Sequence, residues 1–90
     1  MVSSISMPEI VDAASATKLA RQLLELRSSD VTISAAGITR FSAFGLEVLV
    51  AASRQWQDDG QVLDVIDWSD EALIALKVLG ADPADFVAEV

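Results

Sequence analysis

Few side chains in this sequence are of the types that perform catalysis or bind metal ions tightly. The chain has no histidine and no cysteine, so the usual zinc ligands and the commonest acid–base and thiol catalysts are missing. Its four glycines stand singly, with no glycine-rich phosphate loop that ends in lysine. The carboxylate pairs Asp58–Asp59 and Asp67–Asp70 are candidates for a weak divalent-cation site, but such residues more often cap helices or end turns. We therefore predict no catalytic residue, no metal site and no cofactor.

Charge is distributed unevenly along the chain. The formal net charge is −8, and residues 1–55 contain equal numbers of acidic and basic side chains. Residues 56–90 therefore supply the whole excess, with Lys77 as their one base. Binding a phosphate backbone requires a basic patch, so nucleic acid is not expected as a partner. The acidic part is expected to keep the protein in solution or to steer a basic protein partner.

Length and composition indicate a single small domain over residues 1–90. A chain of 90 residues with 52% hydrophobic and 22% charged side chains is typical of a globule with a thin core. No apolar run reaches the roughly 18–20 residues that cross a bilayer, and the first residues lack the basic start of a signal peptide. The absence of cysteine fits a reducing compartment. We expect a soluble cytoplasmic protein without membrane insertion.

Three stretches have the apolar periodicity of amphipathic helices, and they would have to position any contact residues. They cover about residues 13–27, 43–57 and 70–79, with Asp12 or Ser15 capping the first and Ser69 the third. Gly60 and Gly80 are placed to end the second and third. The residues predicted to face inward are Ala16, Leu19, Ala20, Leu23 and Leu26 in the first helix, Leu46, Leu49, Val50, Ser53 and Trp56 in the second, and Leu73, Leu76 and Leu79 or their neighbours in the third.

The segments between these helices have the character of β-strands. Residues 31–35 and 62–66 are rich in β-branched residues, and residues 1–7 form either a short edge strand or a disordered start. The order is β-α-β-α-β-α, and helical crossovers of this length make neighbouring strands parallel. We predict a small α/β sandwich with a few-stranded, mostly parallel sheet and helices packed on it. Residues 83–90 are expected to form a C-terminal tail held down by Phe86 and Val90.

Two glycine–apolar pairs lie eight residues apart: Gly37-Ile38 follows a predicted strand, and Gly45-Leu46 lies in the first turn of a predicted helix. This arrangement resembles the central motif of the STAS domain, a family that includes bacterial anti-sigma factor antagonists. Residues 59–63 resemble the exit of that helix into the next strand in this family, and residues 76–80 resemble its closing helix. The resemblance covers about residues 8–82 and implies a STAS-like fold.

The chain departs from the family pattern at its polar positions. Ser34 and Ser42 stand where the family has aspartates, and Ala43 replaces the first of two serines. Phe44 stands at the position of the serine that is phosphorylated in anti-sigma factor antagonists. Because a phenyl ring cannot accept phosphate, the family's switch does not carry over to that position. Ser42 is expected to cap the second helix, with a role as phosphoacceptor as the alternative.

The resemblance implies a non-enzymatic protein-interaction module in bacterial signalling. Its contact surface is expected at the turn before the second helix, where aromatic residues and arginine are common interface anchors. Either phenylalanine there could instead belong to the core, and Phe41 is the stronger candidate for that role. The residues predicted to contact a partner are Thr39, Arg40, Phe41, Ser42, Phe44 and Glu47.

The expected partner is a regulatory protein, either an anti-sigma kinase-like protein or a component of a chemotaxis or two-component pathway. One alternative is a cytoplasmic STAS subunit of a lipid-transport ABC system that binds the transporter ATPase. Another is a weak nucleotide-binding module. The chain is expected to be a monomer or a weak homodimer.

Overall fold

A three-stranded parallel sheet forms the centre of the protein, seen in a computed structural model that describes residues 2–87. Its strands are β1 (Val2–Ser6), β3 (Asp30–Ser34) and β5 (Leu63–Ile66), in the order β1-β3-β5. A separate parallel pair consists of β2 (Ile10–Val11) and β4 (Arg40–Phe41). The predicted α/β class with a mostly parallel sheet is confirmed. The predicted anchoring by Val90 lies outside the described residues.

Three α-helices and one 3₁₀ helix connect and follow the strands. The sequence predicts either a short edge strand or a disordered start for residues 1–7. The structure has the strand β1 there, at the edge of the sheet. Within residues 2–87, every helix is too short or too polar to cross a bilayer. The helices are α1 (Ala13–Glu25), α2 (Ala43–Asp58), α3 (Asp70–Val78) and the 3₁₀ helix Pro83–Phe86.

The helix ends follow from local capping chemistry. The carboxylate of Asp12 accepts a hydrogen bond from the backbone N–H of Ser15 at 2.9 Å, which lowers the pKa of Asp12 because the bond stabilises its charged form. The hydroxyl of Ser69 accepts one from the backbone N–H of Ala72 at 3.1 Å. Gly60 has a φ of 71° just beyond α2, where a side chain would be strained. These predicted boundaries are confirmed.

One face of the sheet carries the hydrophobic core. Val31 and Ile33 of β3 and Val65 of β5 are buried in one cluster with the inner faces of α1 and α2. Side chains on the opposite face, such as Ser4 and Thr32, are exposed or half-buried. Because strand residues alternate between faces, the helices need to cover only the apolar side.

The inner faces of α2 and α3 differ in part from the expected ones. The buried face of α2 includes Gly45 and Ala52, while Leu46 is half-buried. In α3, Leu76 is buried as predicted and Ala72 is buried in place of its neighbour Leu73, which is 38% exposed. Leu79, the C-cap of α3, is 36% exposed. The buried face of α3 is narrow, because Ala72 and Leu76, four residues apart, are the only residues of this helix that are buried. Small residues such as Gly45, Ala52 and Ala72 let a helix pack closely, so the buried face of each helix is centred on them rather than on the nearest leucine. Hydrophobicity alone does not predict this shift.

The pairing of β2 with β4 was not predicted from the sequence. Ile10 pairs with Arg40, and Val11 pairs with Phe41. Strands of two residues are too short to show an alternating pattern, so only the tertiary contact reveals them. The pair places the segment before α1 directly beside the start of α2.

Gly45 allows the first turn of α2 to lie close to this strand pair. A Cβ at this position would be 2.6 Å from Cγ1 of Val11 and 2.9 Å from Cε1 of Phe41, both of which are buried. Atoms do not approach this closely, so a Cβ here would force a buried neighbour or the helix itself to shift within a close-packed core. The helix therefore packs at this distance only with glycine.

Replacing Gly45 with alanine is expected to lower the free energy of unfolding by about 1–3 kcal/mol, because the added methyl overpacks the core. This is opposite to the usual stabilisation of about 1 kcal/mol for alanine over glycine inside a helix. Urea unfolding measures the change. Gly37→Ala is the control, since the nearest atom to its new Cβ is 3.9 Å away. A Gly45→Ala variant as stable as the native chain would contradict this packing.

Candidate functional site

Hydrogen bonds fix the predicted contact turn to the segment that precedes α1. The backbone N–H and the hydroxyl of Thr39 both donate to the carbonyl of Glu9, at 2.7 and 3.1 Å. The backbone N–H and the hydroxyl of Ser42 both donate to the carbonyl of Val11, at 3.1 and 2.7 Å. These four hydrogen bonds anchor the turn to the segment before α1, so the side chains of the turn have defined directions.

Ser42 occupies the N-cap position of α2 without capping it through its side chain. Its backbone is extended, as an N-cap requires, but no helix N–H bonds to its hydroxyl. That hydroxyl is half-buried and donates across to Val11. A phosphate on Ser42 would remove this bond, so modification would act on the attachment of β2 to β4. The alternative role as phosphoacceptor stays a prediction.

Phe41 belongs to the core, and its place among the contact residues is corrected. Only 8% of the side chain is exposed, and its ring meets Trp68 edge-on with centroids 5.9 Å apart. Trp68 in turn lies 6.1 Å from the ring of Phe86. Successive strand residues point to opposite sides, so Phe41 faces inward while its neighbour Arg40 is exposed.

Phe44, in contrast to Phe41, lies at the surface of the protein. It is in the first turn of α2, and 55% of its side chain is exposed. Val48 and Ala51 follow at intervals of four and three residues, so the helical period puts all three on one side of α2. Glu47 is also exposed on this part of the helix. Phe44 is thereby the first residue of an apolar stripe.

An apolar groove of about 370 Å³ continues this stripe between α1 and α2. Leu24 is the most exposed part of the α1 wall, with 67% of its side chain accessible. The groove is lined by Ala20, Leu23, Leu24 and Arg27 from α1 and its exit, and by Glu47, Val48, Ala51, Ala52, Gln55 and Trp56 from α2.

A bidentate ion pair joins the far ends of the two helices at this groove. Nε of Arg27 donates to Oδ2 of Asp59 at 3.0 Å, and Nη2 donates to Oδ1 at 3.3 Å. Gln55 donates to the same carboxylate at 3.0 Å. The hydrogen bond from Arg27 is the main cause that lowers the pKa of Asp59, and it raises the pKa of Arg27.

The α1 wall of the groove was missed from the sequence. Leu24 falls among polar residues on the side of α1 predicted to face water, next to Glu25. A large apolar residue on such a face was the available signal. Because surface leucines are common, it becomes informative only beside the stripe on α2.

The acidic pairs form no metal cage in the part of the chain that the structure describes. Among residues 2–87, no three acidic side chains are grouped so that they could hold an ion. Asp59 is engaged by Arg27, and Asp70 lies in the first turn of α3, where the helix dipole favours negative charge.

Comparison with known proteins does not assign the chain to a family. Neither a protein-family model nor a curated protein matches it.

Ser42→Ala is expected to lower the free energy of unfolding by about 1 kcal/mol, because it removes a half-buried hydrogen bond. Chemical denaturation measures the loss. Ser28→Ala is the control: Ser28 is exposed, and its change should stay within about 0.5 kcal/mol. Equal stability of the two variants would show that the bond to Val11 contributes nothing.

Arg27→Gln is expected to lower the melting temperature at neutral pH, and this effect should shrink in acid. The pKa of Asp59 is lower in the folded protein than in the unfolded chain, so its contribution is present above the unfolded pKa. It is lost as the pH falls through the lowered folded pKa, because a protonated carboxyl no longer pairs with Arg27. Melting curves over a pH series test this, with Arg21→Gln on exposed α1 surface as control. An effect of Arg27→Gln that is constant with pH would contradict the ion pair.

Proposed function

We propose that this chain is a non-enzymatic, STAS-like interaction module of bacterial cytoplasmic signalling, which binds a regulatory protein through Phe44 and the α1–α2 groove. One observation carries the proposal. An exposed aromatic ring begins an apolar stripe that continues into a groove walled by two helices. We call Phe44 together with this groove the docking surface.

Burial of the exposed half of Phe44 by a partner would contribute substantially to the free energy of binding. A phenylalanine buries roughly 200 Å² when covered, so about 100 Å² remains available here. At about 25 cal/mol per Å², covering it contributes about 2.5 kcal/mol. That is the size of an interface hot spot, and aromatic anchors are enriched among hot spots.

The shape of the docking surface favours a helix of the partner as its occupant. Two helices with an apolar trough between them accept the apolar face of a third helix, as in helix-in-groove recognition. The charge of Arg27 on one rim is paired with Asp59, whereas Glu47 on the other rim carries a negative charge that can set the direction of the incoming helix. Arg40 lies exposed on the turn just before Phe44 and adds a cationic contact at that end.

The proposed partner is an anti-sigma kinase-like regulator or a component of a chemotaxis or two-component pathway. This choice is supported by the resemblance around Gly37 and Gly45. Phe44 replaces the family's phosphorylated serine, so the contact we propose is apolar and is not released by phosphate at that position. The ATPase of a lipid-transport ABC system is the alternative partner, and the same surface would serve it. Genes encoded beside this one supply the candidates for both.

Phe44→Ala is expected to weaken partner binding by about 2 kcal/mol, or about 30-fold in Kd, because the anchor is removed. Its free energy of unfolding should fall by less than about 1 kcal/mol, as for other exposed positions. Binding titrations with purified neighbouring regulators and ATPase subunits give the affinity, and thermal melting gives the stability.

Two matched variants separate docking from folding. Val78→Ala removes an apolar side chain that is 80% exposed on α3, away from the docking surface, and should leave the affinity unchanged. Phe41→Ala removes the buried ring and should cost about 3–5 kcal/mol of stability. A stable Phe44→Ala variant with native affinity would remove the docking surface from the interface.

A further inference from the structure

The outer edge of β1 is an unprotected strand edge. In the described residues β1 pairs on one side only, with β3. Its sequence, VSSIS, has no charged residue, no proline and no glycine. Proteins that keep such edges unpaired usually place lysine, proline or a bulge there. The opposite edge strand, β5, is different, because the 3₁₀ helix packs beside it and Asp64 adds a charge.

At alternate residues of β1, the backbone N–H and C=O groups point away from β3. The N–H of Met7 donates to the carbonyl of Ser34 at 2.9 Å, so the odd-numbered positions bond toward β3. Backbone groups alternate along a strand, and those of Val2, Ser4 and Ser6 therefore point away from β3. These are the groups that an added strand would pair with.

These outward backbone groups can pair with the same groups of β1 in a second copy of the chain. In an antiparallel pairing with a twofold axis at Ser4, this residue lies opposite Ser4 of the second copy, and Val2 lies opposite Ser6. All three resulting pairs join outward-directed backbone groups, which exchange roughly six hydrogen bonds. Opposite residues share a face, so Ile5 stays on the core side beside Ser3 of the second copy.

The distribution of charge favours this edge over the other. Residues 56–90 carry the net charge of −8, and they include β5, α3 and the 3₁₀ helix. In a sheet extended through β1, the two β5 strands are five strand spacings apart, about 24 Å. This exceeds the screening length of about 8–10 Å at physiological salt, so charges on the two β5 strands are largely screened from each other.

We infer that β1 is a self-association edge, through which two copies form one continuous six-stranded sheet across a twofold axis at Ser4. The occupant is a second copy of this chain. The docking surface on α1 and α2 is separate from this edge, and self-association does not depend on the proposed partner.

Sedimentation velocity from micromolar to near-millimolar concentration tests the inference. The native chain should show a monomer–dimer equilibrium. Ser4→Lys and Ser4→Glu should each raise the dimer dissociation constant about fivefold or more, because like charges lie directly opposite each other. An equal mixture of the two variants should recover the dimer, since opposite charges then meet. Ser28→Lys, an exposed position in the α1–β3 turn, is the matched control and should associate like the native chain.

Cross-linking provides a second measurement that does not need the charged variants to fold. The chain contains no cysteine, so Ser4→Cys introduces a single thiol. Opposed residues of a hydrogen-bonded antiparallel pair have Cα atoms about 5.5 Å apart, which is within disulfide range. Mild oxidation should convert Ser4→Cys, but not Ser28→Cys, into a covalent dimer.

Two results would overturn the inference. A native chain that stays monomeric, with no preferential cross-linking of Ser4→Cys, would exclude a second copy and leave the edge to a strand of another protein. A dimer that is unaffected by Ser4→Lys and is not cross-linked by Ser4→Cys would show that self-association uses a different surface.

Discussion

The close approach of α2 to the β2–β4 pair determines the arrangement of the rest of the structure. Gly45 has no side chain, and the helix therefore comes within contact distance of Val11 and Phe41. The hydroxyl and the amide of Ser42 bond to the carbonyl of Val11 at the same place. Packing and hydrogen bonding thus fix the start of α2 to Val11, two residues before the start of α1.

This attachment decides which aromatic residue is buried and which is presented. Phe41 belongs to β4 and turns into the core against Trp68. Phe44 belongs to the first helical turn and remains exposed, because glycine rather than Phe44 occupies the inward position. The same geometry places α1 beside α2, with Arg27 and Asp59 holding their far ends together. The groove between them is a consequence of how the two helices are joined.

The chemistry of the chain is consistent with a role in recognition. The carboxylates of Asp12 and Asp59 are engaged in a helix cap and in an ion pair. Its unusual features lie at the surface: apolar side chains on α1 and α2, and, among the described residues, backbone groups along the outer edge of β1 that pair with no strand. In the proposed STAS-like module, Phe44 takes the place of a phosphorylated serine and offers permanent apolar contact area instead of a reversible charge.

The sequence by itself determined the features that depend on neighbouring residues. Asp12, Ser69 and Gly60 mark helix ends because capping is a local interaction between residues a few positions apart. The parallel sheet was equally predictable, since long helical crossovers permit little else. These features place the candidate site at the start of α2 but do not show which of its side chains are accessible.

Only the tertiary structure decided the features that depend on distant residues. The strands β2 and β4 are too short for a pattern and exist because residues 30 positions apart in the chain meet. The opposite fates of Phe41 and Phe44 follow from that meeting, as does the groove wall at Leu24. Burial is a property of the neighbours that a residue acquires on folding, and hydrophobicity along one chain does not specify those neighbours.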